Sequence, residues 1–218
     1  MRALLLAMTS LVALAAGYPA LAQDAKPVSP AVAKAEGDRI IAAAEASDLF
    51  ENITGDDGVT RLRHKASGMT CAFDPAGPRN NVRIYPQSAM TPNRGDDISC
   101  GTNFDGAAFS FYATRYTPMP DVEQVMAGAI GDVRREWTQI KPLNGSFSIA
   151  TAEGRPSPRF AALEGRAPNG MEAATFILVT HVNGWSFKTR ASGVPSNAEA
   201  TALTAGLLSA SGLPKKED

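Results

Sequence analysis

Apolar positions along this chain recur with two different periods, and the alternation between them divides the sequence into elements. Ser29 followed by Pro30 is a helix start, with a cap and then a proline at the first helical position. The Ala-rich stretch from Pro30 to about Ala46, with Val32, Ile40 and Ile41 as its only larger apolar groups, predicts a helix with a thin apolar face. Strand patterns follow at Leu49 to Thr54 and Val59 to His64, joined by the hairpin loop Gly55-Asp56-Asp57-Gly58. Further strands are expected at Met69 to Phe73, Val82 to Tyr85, Ile98 to Phe104 and Ala107 to Tyr116. The last alternates cleanly: Ala107, Phe109, Phe111 and Ala113 share one face, and Ser110, Tyr112 and Thr114 the other. Between Asp74 and Asp97 the chain is dense in Pro, Gly and Asn, which predicts long connections.

From Asp121 the period changes to three and four. Val122, Val125, Met126, Ala129, Val133, Trp137 and Ile140 predict an amphipathic helix that Lys141-Pro142 and Asn144-Gly145 bring to an end. Four strands are expected next, at Phe147 to Ala152, Phe160 to Ala167, Met171 to Val182 and Trp185 to Arg190. Asn183-Gly184 between the last two is a two-residue hairpin turn, because both residues tolerate positive φ. That turn sets Val182 opposite Trp185. Phe176, Leu178, Thr180 and Val182 then share a face with Trp185 and Phe187, while Ile177, Val179 and His181 share the other with Ser186, Lys188 and Arg190. Apolar residues on both faces call for helices on both sides. Pro195 precedes Ser196-Asn197-Ala198-Glu199, a capping box, and Ala200, Leu203 and Leu207 follow on one helical face. Strands following strands through short turns predict a mostly antiparallel sheet flanked by helices, an α+β protein arranged as an α/β/α sandwich.

A strand such as Phe109 to Tyr116, a Pro-interrupted link, an amphipathic helix, meandering strands and a final capped helix resemble the Mog1/PsbP-like fold. The segment from Ala174 to Arg190, A-T-F-I-L-V-T-H-V-N-G-W-S-F-K-T-R, and then Pro195 to Ser209 carry most of the likeness. It extends from Val59 to Ser211 and is a likeness of element order, without a diagnostic motif. The Ala-rich first helix, the cysteine pair and the 74–97 connection depart from that pattern. The resemblance implies a non-catalytic, partner-binding module and assigns no family site residue to this sequence.

Residues 1–22 have a basic start at Arg2, an uncharged Leu/Ala run from Ala3 to Ala16, a break at Gly17-Tyr18-Pro19 and the small-x-small triplet Ala20-Leu21-Ala22. This predicts a signal peptide cleaved between Ala22 and Gln23, and a periplasmic or secreted protein. A linker at 23–29, one α+β domain at 30–213 and a polar tail at 214–218 complete the expected organisation. No later apolar run reaches the roughly 18–20 residues that a membrane-spanning helix needs. With 44% apolar and 20% charged residues, the 218-residue chain has a globular composition. Its 21 basic and 22 acidic side chains give no field that would favour nucleic acid.

Export changes the reading of the two cysteines. Cys71 lies on one strand face with Met69 and Phe73, and Cys100 with Ile98, Thr102 and Phe104, so both sulfurs point toward apolar surroundings. In an oxidising compartment such a pair is expected to bond, the alternative being two unpaired buried thiols, and its wide spacing is unlike a redox-active CxxC. His64 and His181 with these cysteines match no compact zinc motif, so no metal or other cofactor is expected. Arg61, Arg63 and Lys65 alternate on one strand face. They form either an anion-binding patch or an ordinary solvated or edge-guarding surface. No catalytic motif is present. Two function classes follow: a non-catalytic exported domain that binds a protein, an envelope component or a small ligand, and a hydrolase using His64 or His181 as base. Neither the partner nor the oligomeric state is legible from the sequence.

Overall fold

A computed structural model describes residues 28–214 except 76, 152, 155 and 156. The expected leader at 1–22, the Ala22/Gln23 cleavage point, most of the 23–29 linker and all but the first residue of the 214–218 tail lie outside the described residues. Helix α1 spans Pro30–Ala43, and the Ser29 hydroxyl caps it by accepting from Val32 N. Strands β1 (Phe50–Asn52), β2 (Thr60–His64) and β3 (Thr70–Phe73) form one small antiparallel sheet, with β2 in the middle. These strands do not join the main sheet, as a single-sheet sandwich would require. The main sheet takes β4 (Asn81–Ile84), β5 (Asp97–Phe104) and β6 (Ala107–Thr114). After helix α2 (Val122–Glu136) it takes β7 (Thr138–Pro142), β8 (Arg159–Arg166), β9 (Glu172–Val182) and β10 (Trp185–Gly193). Its seven strands run antiparallel in the order β4-β5-β6-β10-β9-β8-β7. Helix α3 (Ala198–Gly212) closes the described chain. The class is α+β, with helices on both faces of the main sheet.

The β9–β10 register is the one the turn dictates. Asn183 and Gly184 both have positive φ, and Val182 pairs with Trp185. Phe176, Leu178, Val182, Trp185 and Phe187 therefore point to one side, where they meet Phe109 and Phe111 of β6, Ala202 and Ala205 of α3, and Leu62 and Phe73 of the small sheet. On the other side Ile177 and Val179 pack beneath Met126, Ala129 and Val133 of α2. An aspartate at the N-cap fixes where α2 begins. Asp121 Oδ1 accepts from Gln124 N at 2.7 Å while Gln124 Oε1 accepts from Asp121 N at 3.0 Å.

Four local expectations are corrected. The α2 helix stops at Glu136 rather than reaching Ile140. Gln139 has φ 56°, and the chain turns back as edge strand β7 along β8. Trp137 and Ile140 still pack against the α2 cluster, so an edge strand beneath the helix serves the same apolar spacing. Phe147 to Thr151 is not a strand: Phe147 packs its ring on Phe160 and Phe176, and the chain then crosses α3. Gly206 permits that crossing, because a Cβ there would lie 2.6 Å from Ala150 N. The Ser196–Glu199 box does not form. Pro195–Asn197 makes a 3₁₀ turn instead, and α3 begins at Ala198 without a side-chain cap. Finally, the face with Leu203 and Leu207 points outward, at 44% and 54% exposure, while Thr201, Ala202, Ala205 and Gly206 face the sheet. Small side chains let α3 approach closely, which two leucines would prevent.

Candidate functional site

Cys71 on β3 and Cys100 on β5 form a disulfide, with Cα atoms 6.2 Å apart and both residues buried. It ties the small sheet to the main one. Arg61 and Arg63 of β2 and Lys65 just beyond its end do alternate outward, but each has an acceptor of its own. Arg61 Nη1 is 2.7 Å from Asp57 Oδ1, Arg63 Nε is 2.6 Å from Glu51 Oε1, and Lys65 Nζ donates to the Ser47 carbonyl at 2.8 Å. The Arg61 guanidinium holds the Asp57 carboxyl down at about 2. Because β2 is the central strand of its sheet, these residues guard no edge.

His64 is fully buried against the rings of Phe50 and Trp185, at centroid distances of 5.1 and 5.5 Å. Its Nδ1 lies 2.9 Å from Ser67 Oγ and also accepts from Ser67 N, which leaves the proton on Nε2, where there is no hydrogen-bond partner. Nε2 faces Gly95. Positive φ and contact with Leu49 exclude a side chain at that glycine. Burial pushes the imidazole down to about 4; the Arg115 guanidinium adds to this and Asp96 opposes it. No substrate reaches a ring sealed in this way. His181 is half-buried on the α2 side of β9 directly opposite Ser186, with burial again lowering its pKa and the Asp121 charge opposing. Both His181 Nε2 and Ser186 Oγ are buried without a partner, so they are not bonded to each other. Neither histidine therefore forms a base–nucleophile pair open to substrate.

A different cluster stands out, and it lies on the face that the alternation assigned away from the core. Helix α2 covers β8 and β9 and leaves the neighbouring half of the sheet bare. A cleft of about 450 Å³ opens there, and Tyr85, Tyr112 and Tyr116 all line it. These are the three tyrosines of the chain beyond Tyr18. Tyr85 and Tyr112 stack with centroids 6.3 Å apart, and Tyr85 Oη lies 3.3 Å from Ser99 Oγ. Lys188 of β10 projects between them and α2, with Nζ 4.2 Å above the Tyr112 ring. Among the described residues it has no ion pair and no hydrogen-bond acceptor. Burial lowers its pKa, with Arg190 acting the same way and the surrounding carboxylates opposing. Asp97 accepts from Thr114 Oγ1 at 2.9 Å, and burial raises its pKa against the pull of Thr114 and Lys188. Burial also raises the Tyr112 and Tyr116 hydroxyls, which keeps them protonated as donors.

Of the remaining charges at the cleft, Arg190, Glu136 and Asp132 are internally satisfied, while Arg83 has no ion pair among the described residues. Arg190 Nη1 meets Glu136 Oε2 at 3.1 Å and lies over the Trp137 ring, and Asp132 pairs with Arg135. The cleft is thus rich in donors, with one free ammonium, the unpaired Arg83 guanidinium and one half-buried carboxylate. A cluster of perturbed groups in a concavity is the usual mark of a binding site. Sequence reasoning placed Tyr112, Lys188 and Arg190 on the correct face but did not single them out. The available signal was a lysine and large hydroxyl-bearing aromatics alternating with core residues on adjacent strands. On the opposite side an apolar groove of about 420 Å³ runs between α3 and β3, past Phe73, Phe104 and Leu207.

Among the described residues, no group of three or more His, Cys, Asp or Glu side chains could hold a metal, and no helix is long and apolar enough to cross a membrane. In comparisons with known proteins, no protein-family model matches the chain and no curated protein matches it.

Proposed function

We propose that this protein is an exported, non-catalytic binding module whose small-molecule ligand occupies the tyrosine-lined cleft beside α2. The observation that carries the reading is Lys188, a largely buried ammonium resting on the Tyr112 ring without a carboxylate partner. Burying a charge unpaired is costly unless a ligand completes its coordination. The leader pattern at residues 1–22 and the buried disulfide support a periplasmic or secreted location, where disulfides persist. The order β6, α2, β7 to β10, α3 is the one on which the Mog1/PsbP-like resemblance rests, and it supports a binding role. The hydrolase reading is the weaker one, since His64 is sealed in the core and His181 has no bonded nucleophile.

A binding residue and a structural one respond oppositely to removal. The fold holds the Lys188 ammonium less well than water does, so Lys188→Met is expected to unfold at the same or a higher urea concentration than wild type. The same variant should lose the thermal stabilisation that small polar molecules give the wild-type protein. A variant that unfolds more readily and keeps that stabilisation would make Lys188 a structural cation and remove the basis of this reading.

A further inference from the structure

The charges at the cleft define the ligand further, and this step rests on the binding reading above. Six charged side chains line it: Arg83, Lys188 and Arg190 against Asp97, Asp132 and Glu136. Glu136 is matched by Arg190, and Asp132 by Arg135 from the outer side of α2. Among the described residues Arg83 has no ion pair. Two cations, Arg83 and Lys188, therefore remain against one carboxylate, Asp97. The Lys188 and Asp97 charges attract each other, yet they form no ion pair within 4.0 Å. The cleft stays open at this place, with an ammonium on one wall, an acceptor on another and phenol rings between them.

We propose that the cleft takes a small organic monocarboxylate carrying a hydroxyl group, its carboxylate on Lys188 and its hydroxyl donating to Asp97. One negative charge cancels the excess. Phosphate, a mixture of mono- and dianion at neutral pH, would bring more negative charge than the single excess cation balances and face Asp97, Asp132 and Glu136 at short range. The Tyr112 and Tyr116 hydroxyls add neutral donors to the carboxylate oxygens, and the Tyr85–Tyr112 stack offers a flat surface to a ring or carbon skeleton. A compact acid fits within 450 Å³; a polymer would have to lie across the mouth.

Isothermal titration of the full, oxidised chain with 4-hydroxyphenylacetate, its primary amide and inorganic phosphate tests this directly. These probes share size or charge but separate the carboxylate from each. The acid is expected to bind about tenfold or more tighter than either the amide or phosphate, as a charge-assisted contact requires. Lys188→Met should erase that preference, bringing the acid down to the level of the amide and leaving the amide unchanged. Arg83→Gln, at an exposed site where folding is not at stake, should weaken the acid alone, by a few-fold. Equal binding of acid and amide, tighter binding of phosphate, or an acid affinity unaffected by Lys188→Met would each overturn the carboxylate assignment. If the amide binds and the acid does not, the cleft remains a ligand site and only its ligand class is wrong. If all three probes fail to bind, the carboxylate proposal falls, and the urea behaviour of Lys188→Met decides separately whether the cleft reading survives.

Discussion

Replacing both cysteines, Cys71→Ala with Cys100→Ala, is expected to lower the free energy of unfolding by about 3–4 kcal/mol, the figure for closing a loop of this length in the unfolded chain. The bond spans a separation of 29 residues. Its structural setting makes the loss hard to absorb. Strand β3 belongs to a three-stranded sheet that pairs with no strand of the main sheet, so this bond and side-chain packing, rather than a strand ladder, join the two sheets here. Leu62 and Phe73 bury their side chains in that contact, alongside the sulfurs themselves. Since domains are stable by only about 5–15 kcal/mol in total, the variant should unfold at markedly lower denaturant concentration. Equilibrium unfolding in guanidinium, followed by circular dichroism for oxidised wild type and double variant, measures the difference. A loss below about 1 kcal/mol would mean that packing alone fixes the small sheet, against the loop-closure argument.

The second large effect is on acid stability. His64 is fully buried and its pKa is pushed from 6.5 down to about 4. Between those values an unfolded chain takes up a proton that the folded one refuses. The unfolded state therefore binds more protons across this window. Stability is fully present above about pH 6.5, falls as pH drops toward 4, and levels off below it. At 1.36 kcal/mol per pKa unit the loss is about 3 kcal/mol. Urea midpoints at pH 7, 5.5 and 4 should show this slope in wild type and a clearly flatter one in His64→Gln, whose side chain does not titrate. His181 contributes a smaller slope of the same sign, so the variant does not become flat. Identical slopes in the two proteins would show that His64 is not the group responsible.

What the sequence disclosed, and what it hid, follows from the range of the interactions involved. The Asn183-Gly184 turn fixes its register locally, through two positive φ values, and so both faces of β9 and β10 were legible from the chain alone. The disulfide was legible for a similar reason: alternation put each sulfur on a core face. The end of α2 was not, because Trp137 at the helix cap and Ile140 on the edge strand satisfy the same apolar contact that another helical turn would. Leu203 and Leu207 misdirect for the opposite reason. Propensity marks them as core, but closeness to the sheet and to the 149–150 backbone selects Ala202, Ala205 and Gly206 instead. The cleft needed tertiary information of a further kind. Alternation places Tyr112 and Lys188 away from the core, yet only the position of α2, over β8 and β9 and not over β5 and β6, turns that bare face into a concavity. The exposed cations of β2 looked like a site because charge alternates there. Their partners, Glu51 on the adjoining strand and Asp57 in the hairpin loop, become visible only once the hairpin is folded.

The central claim is that small molecules dock in the tyrosine-lined cleft, and amide chemical-shift mapping tests it most directly. Labelled protein would be titrated with a mixed set of neutral and charged small metabolites, and the shifted backbone signals located on the fold. The account predicts shifts concentrated at Asp97, Tyr112, Thr114 and Lys188, with the surroundings of His64 and the α3 groove unmoved. Shifts gathered instead around Phe104 and Leu207 would contradict it.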